Sequence, residues 1–164
     1  MTKTDFYKKY KLGNATPSEP MHREIAVSDF LGTLKKFTDE YFSGLVSIIS
    51  SDTFDESITI SEEYAALFFK NLFAHVGGRF MTEITAEREG ERLHIRIRVP
   101  IDPHDLKLRS MLVKSARAAG FEFYLEDGGI LLRATLHREK FIGVYAKRAA
   151  SDNFKSALCH IFFD

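Results

Sequence analysis

The chain has 164 residues, 45% of them hydrophobic and 15 of them Phe, which is enough for one domain with a substantial apolar core. Its formal net charge is zero, so no overall charge attracts nucleic acid or an anionic membrane, and we expect neither as a partner. The single cysteine, Cys159, excludes an intramolecular disulfide and a zinc site built from cysteines.

The beginning of the chain is polar and rich in lysine and turn residues, and we predict an N-terminal arm over 1–21. Its aromatic residues Phe6, Tyr7 and Tyr10, together with the terminal "IFF" at 161–163, indicate docking on the chain's own domain or on a second copy. A homodimer is therefore one expectation. No apolar stretch has the form of a signal peptide or approaches 18 residues, so we expect a cytoplasmic protein.

The segment after the arm alternates between short strands and one helix. We predict strands at 23–27, 45–50 and 57–60. Ser28 is predicted to open a helix that Gly44 stops. The apolar residues of this helix recur at helical spacing: Phe30, Leu31, Leu34, Phe37 and Tyr41.

A second helix is predicted from Ser61, a good N-cap, to Gly77-Gly78. Glu62 and Glu63 occupy its first turn, where the helix dipole favours carboxylates. Its apolar residues lie nearly all round: Tyr64, Ala65, Leu67, Phe68, Phe69, Leu72, Phe73 and Val76. Such a helix is either deeply buried or has a partner beyond its own sheet.

Two alternating strands follow, "FMTEITAE" and "RLHIRIRV", joined at Gly90. The second strand presents a charged row opposite its apolar one: Arg92, His94, Arg96 and Arg98. We expect this row to pair across the sheet with four glutamates: Glu83, Glu87, Glu122 and Glu126. Cross-strand pairs of this kind contribute about 0.2–1 kcal/mol each. The alternative is a docking face for an acidic partner, built from Arg92, Arg96 and Arg98.

The last third of the chain holds a helix, a hairpin and a terminal helix. Asp105 is predicted to cap a helix that ends at Gly120, and a hairpin turns at Gly128-Gly129. "FIGVYA" at 141–146 is predicted as a further strand, and Ser151 as the start of a final helix.

These elements predict an α/β (α+β) two-layer sandwich. A mixed, mainly antiparallel sheet is covered on one face by about three helices, because each strand is apolar on one side only. We expect the sandwich to span 22–138 and a C-terminal strand and helix, 139–164, to pack on the same domain.

The order of the elements resembles the ATP-binding domain of sensor histidine kinases, the GHKL or HATPase family, over roughly residues 22–138. "REIAVSDFLGTLKKFTDEYF" is similar to that domain's first strand and helix, and "ISEEYAALFFKNLFAHV" to its asparagine-box helix. "LHIRIRV" is similar to the strand before the first glycine box. "LVKSARAAGFEFYLEDGGILLRATL" is similar to the closing helix and hairpin.

The asparagine box departs from the family pattern. By the resemblance, Asn71 matches the structural asparagine, and Ala74 falls where an acidic residue often sits. His75 takes the position of the asparagine that holds Mg²⁺. Mg²⁺ requires oxygen ligands in octahedral geometry, so a neutral imidazole is a poor replacement.

The glycine boxes and the lid depart as well. In "VPIDPHD", Val99 falls where the family's adenine-reading Asp should be, no glycine is present, and Asp102 is a displaced substitute. At the second box, "DLKLRSM" has no glycine to approach phosphate, Asp105 adds a negative charge, and Lys107 begins a basic helix face. The family's lid of some tens of residues is reduced to a turn between Val99 and Asp105.

The remnant of a nucleotide pocket is therefore predicted at Asn71, His75, Asp102 and Lys107, with no catalytic residue. No metal site is predicted either, because His94 and His104 lack a recognised ligand spacing with Asp102 and Asp105. His22 does not have the preceding helical hairpin of a phosphoacceptor histidine.

The favoured hypothesis is a degenerate kinase-type ATPase domain that acts as a regulatory or protein-interaction module in signalling, with a protein partner and no cofactor. The alternative is a divergent nucleotide-binding enzyme, an ATP-dependent kinase or ATPase using ATP and Mg²⁺ in the same pocket. A third possibility is an unrelated α/β sandwich.

Overall fold

The computed structural model describes residues 21–76, 81–138 and 144–163, except for the side chains of 144–151. The elements follow one another as β1 (Arg23–Ala26), α1 (Val27–Tyr41), β2 (Val46–Ser50), β3 (Ser57–Ile60), α2 (Glu62–Val76), β4 (Thr82–Glu89), β5 (Arg92–Arg98), α3 (Leu106–Ala119), β6 (Glu122–Glu126), β7 (Gly129–Thr135) and α4 (Val144–Phe163). The predicted arm and the predicted stop at Gly77-Gly78 lie outside the described residues.

Five strands form the main sheet in the order β2-β4-β5-β7-β6. Strands β2 and β4 are parallel, and the other neighbours are antiparallel, as the predicted mixed sheet requires. Strands β1 and β3 form a separate antiparallel pair. Ser57 of this pair exchanges two backbone hydrogen bonds with His137, just beyond β7, at 2.9 and 2.8 Å. The two sheets are therefore joined at that point.

The core lies between the main sheet and the helices. Alternate sheet residues such as Ile84, Ile95 and Leu132 are buried, as the period-2 pattern predicts. Phe30 of α1 lies near Phe69 of α2 with ring centroids 6.4 Å apart. The fold is thus the predicted two-layer α/β arrangement.

Helix α2 is apolar nearly all round because other helices cover it on more than one side. It packs against both α3 and α4. The Lys70 ammonium donates a hydrogen bond to the carbonyl of Ile161, near the end of α4, at 2.5 Å. The partner beyond the sheet that the sequence pattern required is therefore α4.

Helix α4 corrects the prediction for the C-terminal region. Residues Val144–Ala146, part of the predicted strand, are helical, and the helix begins at Val144 rather than at Ser151. Alanine, lysine and arginine in "AKRAAS" are strong helix formers, so the helix continues through this segment and Ser151 lies in its interior. Phe154 of α4 is fully buried and stacks on Phe30 with ring centroids 4.9 Å apart.

Helix α1 also begins earlier than predicted. Ala26 is its N-cap without a side-chain hydrogen bond, so Ser28 does not cap it. The amide of Val27 donates instead to the carbonyl of Glu56 at 3.0 Å. A neighbouring segment thus satisfies an orphan donor that a side chain usually satisfies. Tyr41, predicted on the buried stripe, is 45% exposed.

Two glycines are required by geometry. Gly120 ends α3 in the left-handed region, with φ of 107°, and its amide bonds to the carbonyls of Ala116 and Arg117. A Cβ on Gly129 would lie 2.0 Å from the carbonyl oxygen of Ile97, so only glycine fits beside β5.

No helix among the described residues is long and apolar enough to cross a membrane.

Candidate functional site

Helix α2 carries two of the predicted pocket residues on one side. Ser61 caps the helix, and its hydroxyl accepts a hydrogen bond from the amide of Tyr64 at 3.4 Å. Asn71 and His75 are four residues apart and therefore neighbours on the helix surface. Asn71 is half-buried and His75 is exposed. The side of α2 that carries His75 is thus open to solvent among the described residues.

The end of β5 differs from a ligand-binding strand end. Val99 is 2% exposed, and its amide donates to the carbonyl of Gly128 at 3.1 Å. Its apolar side chain is part of the core. Val99 therefore has no side-chain group that could hydrogen-bond to a base.

Several hydrogen bonds close the turn between β5 and α3 on itself. The amide of His104 donates to the Asp102 carboxylate at 2.8 Å, and the amide of Asp105 donates to the Asp102 carbonyl at 3.1 Å. The Asp105 carboxylate accepts from the amide of Leu108 at 3.1 Å and caps α3, as predicted. One amide donor of this helix N-terminus is thus already bound to a carboxylate.

Helices α2 and α3 lie directly against each other. At one end the amide of Ser61 donates to the carbonyl of Ala119 at 2.9 Å, which holds the start of α2 to the end of α3. Asp102 and Lys107 are exposed near the start of α3. Among the residues that the structure describes, no hydrogen bond or ion pair joins either of them to Asn71 or His75.

No protein-family model matches the sequence, and no curated protein matches it. Among solved structures, the nucleotide-free catalytic domain of histidine kinase ThkA aligns with a TM-score of 0.50 and 10% identity, over 72% of this chain and 97% of that one. The chain has the GHKL-type ATPase fold of histidine kinases.

Two other kinases align over more of this chain with lower TM-scores. The Acinetobacter baumannii histidine kinase AdeS gives 0.49 at 10% identity, over 84% of this chain and 77% of that one. The cytoplasmic segment of histidine kinase QseC gives 0.46 at 14% identity, over 83% and 91%.

Within this GHKL-type fold, the solvent-facing side of the sheet carries the charged row predicted from the sequence. All four expected glutamates are ion-paired. Arg92 Nη1 lies 2.6 Å from Glu122, and Arg96 contacts both Glu87 and Glu126. The remaining pairs are Arg98 with Glu83 at 3.9 Å and Arg133 with Glu122 at 2.5 Å. The charge-balanced surface is therefore confirmed, and Arg98, 81% exposed, is its most accessible cation.

Sequence reasoning missed Glu62 as an unusual group. The sequence places it in the first turn of α2, where the helix dipole favours a carboxylate, but it is 5% exposed and its Oε1 is buried without a hydrogen-bond partner among the described residues. Burial raises the pKa of Glu62, and Arg23 and His22 oppose that shift. The only sequence signal is its place directly after the apolar run of β3.

Proposed function

We propose that this GHKL-type domain does not hydrolyse ATP and acts as a regulatory or protein-interaction module in signalling. The observation that carries the proposal is the closed turn between β5 and α3. In the family that the sequence resembles, this connection holds the adenine-reading Asp, the glycine-rich phosphate contacts and the lid. Here it is a short turn in which the amides of His104 and Asp105 bind Asp102 and the amide of Leu108 binds the Asp105 cap.

The electrostatics of the α3 N-terminus support the same conclusion. A helix N-terminus binds anions because its first amides are unpaired and its dipole is positive there. Asp105 already supplies the negative charge and accepts one of these hydrogen bonds. A phosphate at this position would meet a carboxylate, and like charges in contact repel.

The position of His75 supports a loss of metal binding. Oxygen ligands suit Mg²⁺, whereas an exposed imidazole offers a nitrogen that Mg²⁺ does not favour. The domain would then serve through its surfaces. A protein partner, including a second copy of the chain, is the occupant we propose, because the fold is kept while the nucleotide contacts are changed.

Thermal unfolding with nucleotide tests this proposal. The protein is titrated with ATP, ADP and a non-hydrolysable ATP analogue, each with and without Mg²⁺. Saturating binding at a hundredfold excess over Kd stabilises a protein by about 2.7 kcal/mol, which raises Tm by several degrees. We expect no Mg²⁺-dependent rise at millimolar nucleotide.

Phosphate release provides the second arm, with His75→Ala as the matched variant. We expect both proteins to release phosphate at the background rate. A Mg²⁺-dependent Tm rise, or turnover by the wild type that exceeds that of His75→Ala, would overturn the proposal in favour of the nucleotide-binding enzyme.

A further inference from the structure

A cluster of potential metal ligands lies on the solvent-facing side of the main sheet, away from the α2–α3 groove. It consists of Glu87, Glu89 and His94. One ring nitrogen of His94 and one carboxylate oxygen of each glutamate all lie within 4.8 Å of one another. In the β4–β5 register Glu87 pairs with His94, and Glu89 follows two residues later on the same face. Strand pairing therefore collects an imidazole and two carboxylates at one place.

His94 is unlike its neighbours in the charged row. It is 7% exposed, whereas Arg92 and Arg96 on either side are partly exposed. Its Nδ1 is buried with no hydrogen-bond partner among the described residues. Buried polar atoms in proteins almost always have a partner, so the unpaired Nδ1 of a ring that lies beside two carboxylates calls for an explanation, and metal binding by this ring is one.

We propose that Glu87, Glu89 and His94 bind one divalent transition-metal ion, and that Zn²⁺ suits the site best. Zn²⁺ takes imidazole nitrogen and carboxylate oxygen at about 2.0–2.2 Å. Tetrahedral ligands at these lengths are about 3.4 Å apart, so side-chain rotation has only to shorten separations that are already below 4.8 Å.

The donor set also decides which metals are disfavoured. Mg²⁺ and Ca²⁺ prefer all-oxygen sites with six or more ligands, which two carboxylates and an imidazole do not provide. Imidazole suits Zn²⁺ and Ni²⁺. Three protein ligands leave a fourth tetrahedral position for water or for a group from another molecule. The site is therefore an open one.

The cluster and its ion-paired neighbours hold more carboxylates (Glu87, Glu89, Glu122 and Glu126) than arginines (Arg92, Arg96 and Arg133). Arg92 and Arg133, which flank His94 on the sheet, both bind Oε2 of Glu122, at 2.6 and 2.5 Å. Glu122 therefore balances one of these two positive charges. Arg96 contacts Oε1 of Glu87, and a carboxylate has a second oxygen through which a metal can bind.

Isothermal titration of the chelator-treated full chain with ZnCl₂ tests the proposal. We expect saturable binding of one Zn²⁺ per chain. Glu89→Gln, which changes an exposed carboxylate to an amide of the same shape, should weaken binding at least about tenfold. Glu83→Gln is the matched control, because Glu83 lies on the same strand and face but outside the cluster, and it should bind like the wild type.

The nitrogen resonances of the histidine rings give a readout that needs no substitution of the buried His94. One equivalent of Zn²⁺ should shift a ring signal that is still present in His104→Ala. Three outcomes would overturn the proposal: no saturable Zn²⁺ binding, equal loss of binding in Glu83→Gln and Glu89→Gln, or tighter binding of Mg²⁺ than of Zn²⁺.

Discussion

The two sides of the main sheet differ in what their side chains contact. On the covered side, apolar residues and a network of phenylalanines fill the space beneath the helices, and one carboxylate, Glu62, is buried without full compensation. On the open side, charged side chains bind one another across neighbouring strands in contact with solvent. The covered side therefore buries the apolar surface that stabilises the fold, and the open side exposes ion-paired charges to solvent.

The largest effect is expected on the covered side. Phe154→Ala removes a fully buried ring that stacks on Phe30 and should lower the free energy of unfolding by about 3–5 kcal/mol, because it leaves a cavity between α4 and α1. Denaturant unfolding measures this. Phe163→Ala, in the same helix but at a residue 56% exposed, is the control and should have less than half the effect. Equal effects would mean that α4 does not pack as described.

A change of the opposite sign is expected at Glu62. Burial raises its pKa above the ordinary 4.5, so the folded state holds the proton more tightly than the unfolded chain. Stability falls as pH rises from 4.5 through the raised pKa and stays lower above it. Glu62→Gln removes this penalty, and we expect a gain of roughly 1 kcal/mol at neutral pH.

Unfolding free energies at acidic and neutral pH check this prediction. The gain from Glu62→Gln should shrink as pH falls through the raised pKa of Glu62, and it should be smallest below the ordinary 4.5, where the carboxyl is protonated in both the folded and the unfolded state. Glu91→Gln, at an exposed glutamate in the β4–β5 turn, serves as control and should not stabilise the protein at neutral pH. A wild type that is more stable than Glu62→Gln at neutral pH would contradict the prediction.

The smallest effect is expected on the open side. Hydrogen bonds from Arg133, and then from Arg92, lower the pKa of Glu122. The stabilisation is therefore present above the ordinary pKa and is lost as pH falls through the lowered one. Glu122→Gln should lower Tm slightly at neutral pH, less in high salt because exposed charges are screened, and not at all in strong acid.

Thermal unfolding at two salt concentrations measures this effect. Glu91→Gln, at an exposed glutamate in the β4–β5 turn, is the control and should leave Tm unchanged in both. Glu122→Gln could instead lower Tm equally at both salt concentrations and by more than Glu62→Gln changes it. The two sides of the sheet would then differ less than proposed.

Most of the fold follows from local sequence patterns. Alternation of apolar and charged residues predicted β4 to β7 and the face that each side chain occupies, and Asp105 and Gly120 predicted the bounds of α3. The predicted start of α4 was wrong because the helix propensity of "AKRAAS" outweighed the β propensity of Val144 and Tyr145 before it.

The candidate sites were less accessible to sequence reasoning. The resemblance named Asn71, His75, Asp102 and Lys107 residue by residue, but their environment depends on how α2 and α3 pack. The cluster of Glu87, Glu89 and His94 depends on strand register, which single-sequence patterns do not determine. Burial of Glu62 depends on its neighbours from other elements in the same way.

The turn from Val99 to Asp105 has a consequence for chain entropy. The cost of closing a flexible loop rises by only about 0.6 kcal/mol for each doubling of its length. Extending this turn to the tens of residues of a lid would take about three doublings, or roughly 2 kcal/mol. A fold stabilised by a phenylalanine core and a packed C-terminal helix would tolerate a loop-closure cost of this size. Loop entropy alone therefore does not dictate the short connection at this point of the chain.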